Sequence, residues 1–132
     1  MAVVAPGPGW GIYLDATCGG YLVEDNVVYH TLTGGIMNTG MTGNVVRNNI
    51  LALSGQEAAW RYSWTKEPPS VVERNIFYLT QGELFHEDGG ASDFRTPWDH
   101  NLYWRTDGEP LLFYGETFQD WQAKGVDQHS LV

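Results

Sequence analysis

Three titratable side chains stand in a row at His86-Glu87-Asp88, closing a stretch, Leu84-Phe85-His86-Glu87, that reads as a strand. A histidine beside two carboxylates offers a general acid, a general base or a nucleophile. At the matching place in an earlier stretch stand Arg61 and Tyr62, and in the first such stretch Tyr13 and Asp15. An arginine near carboxylates and a histidine orients an acidic or hydroxylated sugar. Two carboxylates from neighbouring stretches would serve as acid and base in glycoside hydrolysis, their separation deciding the outcome. Arg61 or His86 would instead help take a proton from a substrate carbon. Glu87, Asp88, His86, Arg61 and Asp15 are therefore the candidate catalytic residues. Trp64, in a loop with Lys66 and Glu67, joins Tyr62 and Tyr13 as a candidate platform for sugar rings, whose apolar faces pack on aromatic planes. A plainer reading competes: a charged, solvated strand end, with aromatics that pack loops.

Alternation leaves two registers open. If Leu84 points inward, Phe85 and Glu87 face out beside Tyr13 and Asp15. If Phe85 points inward, His86 and Asp88 face out beside Met37 and Arg61.

The elements that must hold these residues are repeats. The phrase Arg47-Asn48-Asn49-Ile50-Leu51-Ala52 recurs as Glu24-Asp25-Asn26-Val27-Val28-Tyr29, Glu73-Arg74-Asn75-Ile76-Phe77-Tyr78 and Asp99-His100-Asn101-Leu102-Tyr103-Trp104. Its asparagines, Asn26, Asn49, Asn75 and Asn101, lie 23, 26 and 26 residues apart. Each unit reads as three short strands with turns between them. Gly35-Ile36-Met37-Asn38 restarts the pattern of Gly11-Ile12-Tyr13-Leu14, and a fifth unit is expected from Pro110-Leu111-Leu112-Phe113-Tyr114. One triplet cannot bury its apolar side chains alone, so triplets stack. The expected fold is all-β: a right-handed parallel β-helix, a solenoid of about five coils rising about 4.8 Å each, with a short C-terminal helix. The asparagine is expected to take the left-handed bend at a corner and to hydrogen-bond its equivalents above and below as a ladder. Residues 1–10, rich in Pro and Gly, form an irregular N-terminal segment, and 11–132 a single domain. A helical cap is expected near 117–124, with Thr117 as N-cap, Gly125 as stop, and Phe118 and Trp121 covering the last coil.

The chain of 132 residues carries 7 Lys and Arg against 16 Asp and Glu, a net charge of −9. The basic residues are scattered, so phosphate backbones and anionic membranes are repelled; neither nucleic acid nor membrane is an expected partner. No apolar run reaches the roughly 20 residues of a membrane helix. The start, Met1-Ala2-Val3-Val4-Ala5-Pro6, does not read as a signal peptide. A single cysteine, Cys18, excludes an internal disulfide and leaves the compartment undetermined. His30, His86, His100 and His129 lack metal-ligand spacing, so no metal ligands and no cofactor are assigned. Ca²⁺ at Glu24-Asp25 or Glu87-Asp88 is the weaker alternative to a simple negative patch.

The units Gly11-Ile12-Tyr13-Leu14-Asp15, Val23-Glu24-Asp25-Asn26-Val27-Val28-Tyr29 and Asn44-Val45-Val46-Arg47-Asn48-Asn49-Ile50 resemble repeats of right-handed parallel β-helix proteins of the pectate-lyase-like superfamily. Asp99-His100-Asn101-Leu102-Tyr103-Trp104 and the tail from Phe118-Gln119-Asp120-Trp121 to Ser130-Leu131-Val132 are similar to the closing coils of large bacterial members. The resemblance covers about residues 9–132. It implies the fold, an active site on an exposed sheet face, and a polysaccharide or oligosaccharide as partner. Relatives act on polysaccharides as hydrolases, lyases or epimerases, are often secreted, and include tailspikes. They carry many more coils, so this chain resembles a C-terminal piece. Two functional expectations follow: a carbohydrate-active module working by glycoside hydrolysis or lyase cleavage, or a non-catalytic module that binds carbohydrate or self-assembles through its open N-terminal end.

Overall fold

The computed structural model describes residues 2–3, 9–15, 19–39, 43–62, 70–88 and 97–132, with the backbone alone at 2–3, 38–39, 60–62 and 86–88. Runs rich in Val, Ile and aromatics favour a pleated, half-buried surface, and here they form strands. After β1 (Ala2–Val3), four triplets follow. They are β2 (Ile12–Leu14), β3 (Leu22–Glu24) and β4 (Val27–Tyr29); then β5 (Gly34–Thr39), β6 (Val45–Arg47) and β7 (Ile50–Ala52). The third is β8 (Glu57–Tyr62), β9 (Val71–Glu73) and β10 (Ile76–Leu79), and the fourth β11 (Glu83–Asp88), β12 (Trp98–Asp99) and β13 (Leu102–Arg105). Among the described residues one helix, α1 (Phe118–Ala123), comes last.

Each triplet gives one strand to each of three sheets, ordered β2-β5-β8-β11, β3-β6-β9-β12 and β1-β4-β7-β10-β13. Every ladder is parallel. The chain is thus mostly β, built of three parallel sheets and consistent with a parallel β-helix. The N-terminal segment expected to be irregular contributes β1, which pairs with β4.

The register aligns equivalent residues into columns. Val28, Leu51, Phe77 and Tyr103 form one inward column, and Val23, Val46, Val72 and Trp98 another. All eight are buried. Side-chain size grows along both columns, so the interior passes from aliphatic to aromatic. At the aromatic end Phe77 stacks on Tyr103 at 5.1 Å, and Phe85 meets Trp98 edge-on at 4.8 Å. Most of the aromatic content described here is therefore packing.

The corners are the costly places, because they bury backbone groups that no ladder pairs. Asn26 Nδ2 donates to Asn49 Oδ1 at 3.0 Å, Asn49 Nδ2 to Asn75 Oδ1 at 3.0 Å, and Asn75 Nδ2 to Asn101 Oδ1 at 3.2 Å. Each acceptor oxygen also takes the backbone N–H of the asparagine one layer before it. The expected ladder is present, with one correction. The left-handed residue is not the ladder asparagine but the one before it: Asp25, Asn48, Arg74 and His100 have φ of 55° to 59°. Asn48 finds its reason there, since asparagine tolerates that conformation better than most residues.

The ladder runs one layer further than the asparagines do. Asn101 Nδ2 donates to Asp127 Oδ1 at 3.1 Å. Asp127 is fully buried and also accepts from Tyr103 Oη at 2.9 Å, Trp121 Nε1 at 2.7 Å and the Ser130 hydroxyl. Burial, then the Asp127 charge, pushes the Tyr103 phenol well above its ordinary pKa, which keeps it a donor. Smaller polar ladders serve the other corners: Tyr21 N–H to Asn44 Oδ1, Asn44 N–H to Ser70 Oγ, and Thr31 Oγ1 to Ser54 Oγ.

The fifth unit does not open as expected. Pro110 to Tyr114 forms no ladder strand; Phe113 and Glu116 close an antiparallel bridge through Tyr114 and Gly115, both at positive φ. Pro110 has no N–H to give a ladder. Phe113 instead plugs the open end of the core, fully buried against Tyr103 at 4.9 Å. Helix α1 follows as expected. Thr117 caps it by accepting from the Asp120 N–H, Gly125 has φ of 87°, Trp121 is buried and Phe118 packs on the core. The tail then lies along the fourth layer, with Leu131 bridged to Leu102.

Removing an interior member of the ladder leaves several buried donors unpaired, at roughly 1–3 kcal/mol each before relaxation. Urea unfolding of Asn75→Ala should show a loss of about 3 kcal/mol, against about 1 kcal/mol for Asn26→Ala at the half-exposed end. Asp127→Asn puts an amide NH₂ among donors and should cost about 2–3 kcal/mol by the same measurement.

Candidate functional site

The candidate residues named from sequence, Trp64 apart, fall at one end of one sheet. Tyr13 lies on β2 and is exposed, and Asp15 follows that strand, also exposed. Arg61 and Tyr62 end β8, and His86, Glu87 and Asp88 end β11. The ladder pairs Glu87 with Arg61 and Asp88 with Tyr62 in adjacent layers. His86 pairs with Trp60, Trp60 with Met37, and Met37 with Tyr13, one column across four layers. Glu87 and Arg61 share the column of Asn38 and Leu14. Trp64 and Cys18 lie outside the described residues.

The two open registers resolve into neither simple alternative. The Phe85 ring is inside, against Phe77, Trp98 and Phe113, and Leu84 is buried as well. Two successive inward residues are a corner, not a pleat: β11 pairs at Glu83–Glu57 and resumes at Phe85–Ala59. Beyond it alternation holds in the first layer, where Ile12 and Leu14 pack on the core and Tyr13 points to solvent.

The spacing between layers limits the chemistry. Asp15 belongs to the first layer and Asp88 to the fourth, so their backbones are three strand spacings, roughly 14 Å, apart. Acid–base glycosidases hold their carboxyl groups about 5–9.5 Å apart. Arg61 and Glu87 are one spacing apart, in the column that begins at the inward Leu14, and His86 and Asp88 alternate with Glu87 along β11. An open hollow lined by Glu83, Arg105, Glu109 and Tyr114 lies at the other end of β11.

Two features escaped the sequence reading. The first is the outer face of the five-stranded sheet. Val27, Ile50 and Ile76 are exposed in one column, and Tyr29, Ala52, Tyr78 and Trp104 form the next. Trp104 is 60% exposed, and its ring lies 5.8 Å from that of Tyr78. These apolar outward positions are visible in the repeats, but a three-residue strand with apolar residues on both faces does not announce which face is out.

The second is a cluster at the asparagine corner of the fourth layer. Asp99 ends an outward column Glu24, Arg47, Glu73, Asp99, in which Arg47 pairs with Glu24 at 2.7 Å. Glu24, named above for Ca²⁺, is thus engaged by an arginine. Asp99 Oδ1 accepts the backbone N–H of His100 at 2.9 Å and of His129 at 2.7 Å. Its Oδ2 faces two imidazoles, His129 Nδ1 at 2.7 Å and His100 Nδ1 at 3.4 Å. Burial alone would push the Asp99 carboxyl up; the hydrogen bonds from His129 and His100 outweigh it and hold the pKa below its usual value. The two histidines, 29 residues apart in sequence, carry no spacing signal. Only extending the ladder from Asn101 to Asp127 would have brought His129 beside Asp99.

Compared with known proteins, the chain is matched by no family model, no curated protein and no solved structure.

Proposed function

We propose that the chain is a carbohydrate-active module of right-handed parallel β-helix type, allied to the pectate-lyase-like proteins it resembles, which binds a polysaccharide across the ends of β5, β8 and β11. The observation that carries this reading is the register that sets His86 in the column of the exposed Tyr13 and, two positions on, Asp88 beside Tyr62. Aromatic positions sharing a face with a histidine and a carboxylate suit a sugar: ring faces for stacking, polar groups for hydroxyls.

Of the two chemistries, elimination fits the layer spacing better than two-carboxylate hydrolysis. Arginine stays protonated at any ordinary pH, so Arg61, whose column begins at the inward Leu14, is not the base. Histidine is the side chain whose ordinary change of charge falls nearest neutral pH, and His86 is the group suited to taking the C5 proton. The electron pair then forms the C4–C5 double bond as the C4–O bond breaks, and the leaving oxygen takes a proton from Glu87, Asp88 or water. Incubated with polyuronates and neutral glycans, the protein should yield unsaturated uronate ends. His86→Ala should lower the rate at least about 100-fold, with Asp15→Asn near wild type. Neither binding nor turnover across the panel sinks the proposal.

A second reading, non-catalytic carbohydrate binding, is favoured by Tyr29, Tyr78 and Trp104 on the outer face of the five-stranded sheet. Stacking on one aromatic is worth about 0.5–1.5 kcal/mol. Here Trp104→Ala should weaken glycan binding about 3- to 10-fold in calorimetry and leave any cleavage rate unchanged. Binding that survives Trp104→Ala but fails in His86→Ala returns the site to the first sheet.

A further inference from the structure

We propose that Asp99, His100 and His129 form a binding site for a divalent transition metal of the Zn²⁺, Co²⁺ or Ni²⁺ kind. One carboxylate oxygen and two imidazole nitrogens, one from each residue, all lie within 4.8 Å of one another. Imidazole and carboxylate together are the donor set of such ions, whereas Ca²⁺ takes six to eight oxygens.

The cluster is held in place from behind. Asp99 Oδ1 is fixed by two backbone N–H groups, which leaves Oδ2 turned to both imidazoles. Such orienting contacts are what ligating carboxylates ordinarily have. His100 occupies the left-handed corner position, φ 59°, imposed by the repeat itself. His129 is carried on a tail tied down on both sides: Asp127 ends the buried ladder, Ser130 Oγ accepts the Asn101 N–H at 2.8 Å, and Leu131 bonds Asn101 and Tyr103. The backbone under all three donors is therefore fixed before any ion arrives.

The distances fit. Ligand atoms about 2.0–2.1 Å from a tetrahedral metal lie roughly 3.4 Å from one another. Asp99 Oδ2 and His100 Nδ1 are already 3.4 Å apart. His129 Nδ1, at 2.7 Å, makes a direct hydrogen bond instead. A metal would replace that bond by moving the ring outward about 0.7 Å. The His129 side chain is 69% exposed and has the room. The imidazoles stack at 5.0 Å with planes 18° apart, facing one another without a mutual hydrogen bond. With three protein ligands on one side, the fourth position opens to solvent, as in sites that hold an exchangeable ligand. The chain's net charge of −9 adds a field that favours a cation.

The competing account is that His129 and Asp99 only anchor the tail. Calorimetric titration of untagged, chelator-treated protein with Zn²⁺ separates the two. The metal site predicts one equivalent bound, weakened at least 10- to 100-fold in His100→Ala and in His129→Ala, and unchanged in His30→Ala. Should the variants unfold, Co²⁺ added to the wild-type protein decides: imidazole signals of His100 and His129 should shift or broaden first, before those of His30 and His86. No stoichiometric binding, binding unchanged in the His100→Ala/His129→Ala double variant, or Co²⁺ effects centred elsewhere would each overturn the proposal.

Discussion

A parallel stack of short strands must turn a corner every few residues, and each corner buries peptide groups that the ladders do not reach. Asparagine meets that constraint because one side chain carries both an acceptor and two donors. Asn49 shows the full use. Its oxygen takes the N–H and the amide of Asn26, while its own amide serves Asn75, Val23 and Arg47. The pattern is self-complementary, so the same residue serves at every layer, and an unpaired buried donor is the penalty for leaving one out. The repeat of 23 or 26 residues is the length of chain needed to return to that corner.

The ladder also has a direction. Every amide donates toward the C-terminal end, so the last residue has only to accept. Asp127 does so and has capacity for three more donors, which it takes from Tyr103, Trp121 and Ser130. An asparagine would have to offer its NH₂ among these donors. The change from Asn to Asp is thus a chemical consequence of termination, and through Trp121 it ties helix α1 to the open end of the core. Phe113 and Phe118 fill the same end from the other side. The graded core, valine and leucine first and aromatics last, matches a stack whose final layers are closed by bulky side chains from outside the sheets.

What was legible in the sequence is what repeats in kind. The asparagine spacing, the strand triplets and the parallel pairing follow from residues that recur as themselves. So do the signals of α1, where Thr117, Trp121 and Gly125 act locally. What was not legible repeats in position only. Asn44 gives way to Ser70 and Asn101 to Asp127, so their ladders are invisible to a search for like residues. Asp25, Asn48, Arg74 and His100 share a backbone conformation with no common side chain. The strand end at Leu84 and Phe85 hid its register because two successive residues turn inward, which no alternating pattern represents. Sequence placed the candidate residues at strand ends, and only the register could tell which of them are neighbours.

That register is the strictest limit on chemistry in this architecture. Moving one layer shifts a residue by about 4.8 Å, and moving three shifts it by roughly 14 Å. Groups that act on one bond, or share one ion, must therefore come from the same or adjacent layers, which here means a handful of residues apart in sequence or about one repeat apart. Arg61 and Glu87 meet that condition, as do Asp99 and His129, with 26 and 30 residues between them. Asp15 and Asp88 do not. A short motif scan sees none of these pairs, because it looks for ligands three or four residues apart on one turn of helix. In a stack of parallel strands the natural motif length is the repeat, and chemistry is found by reading down a column.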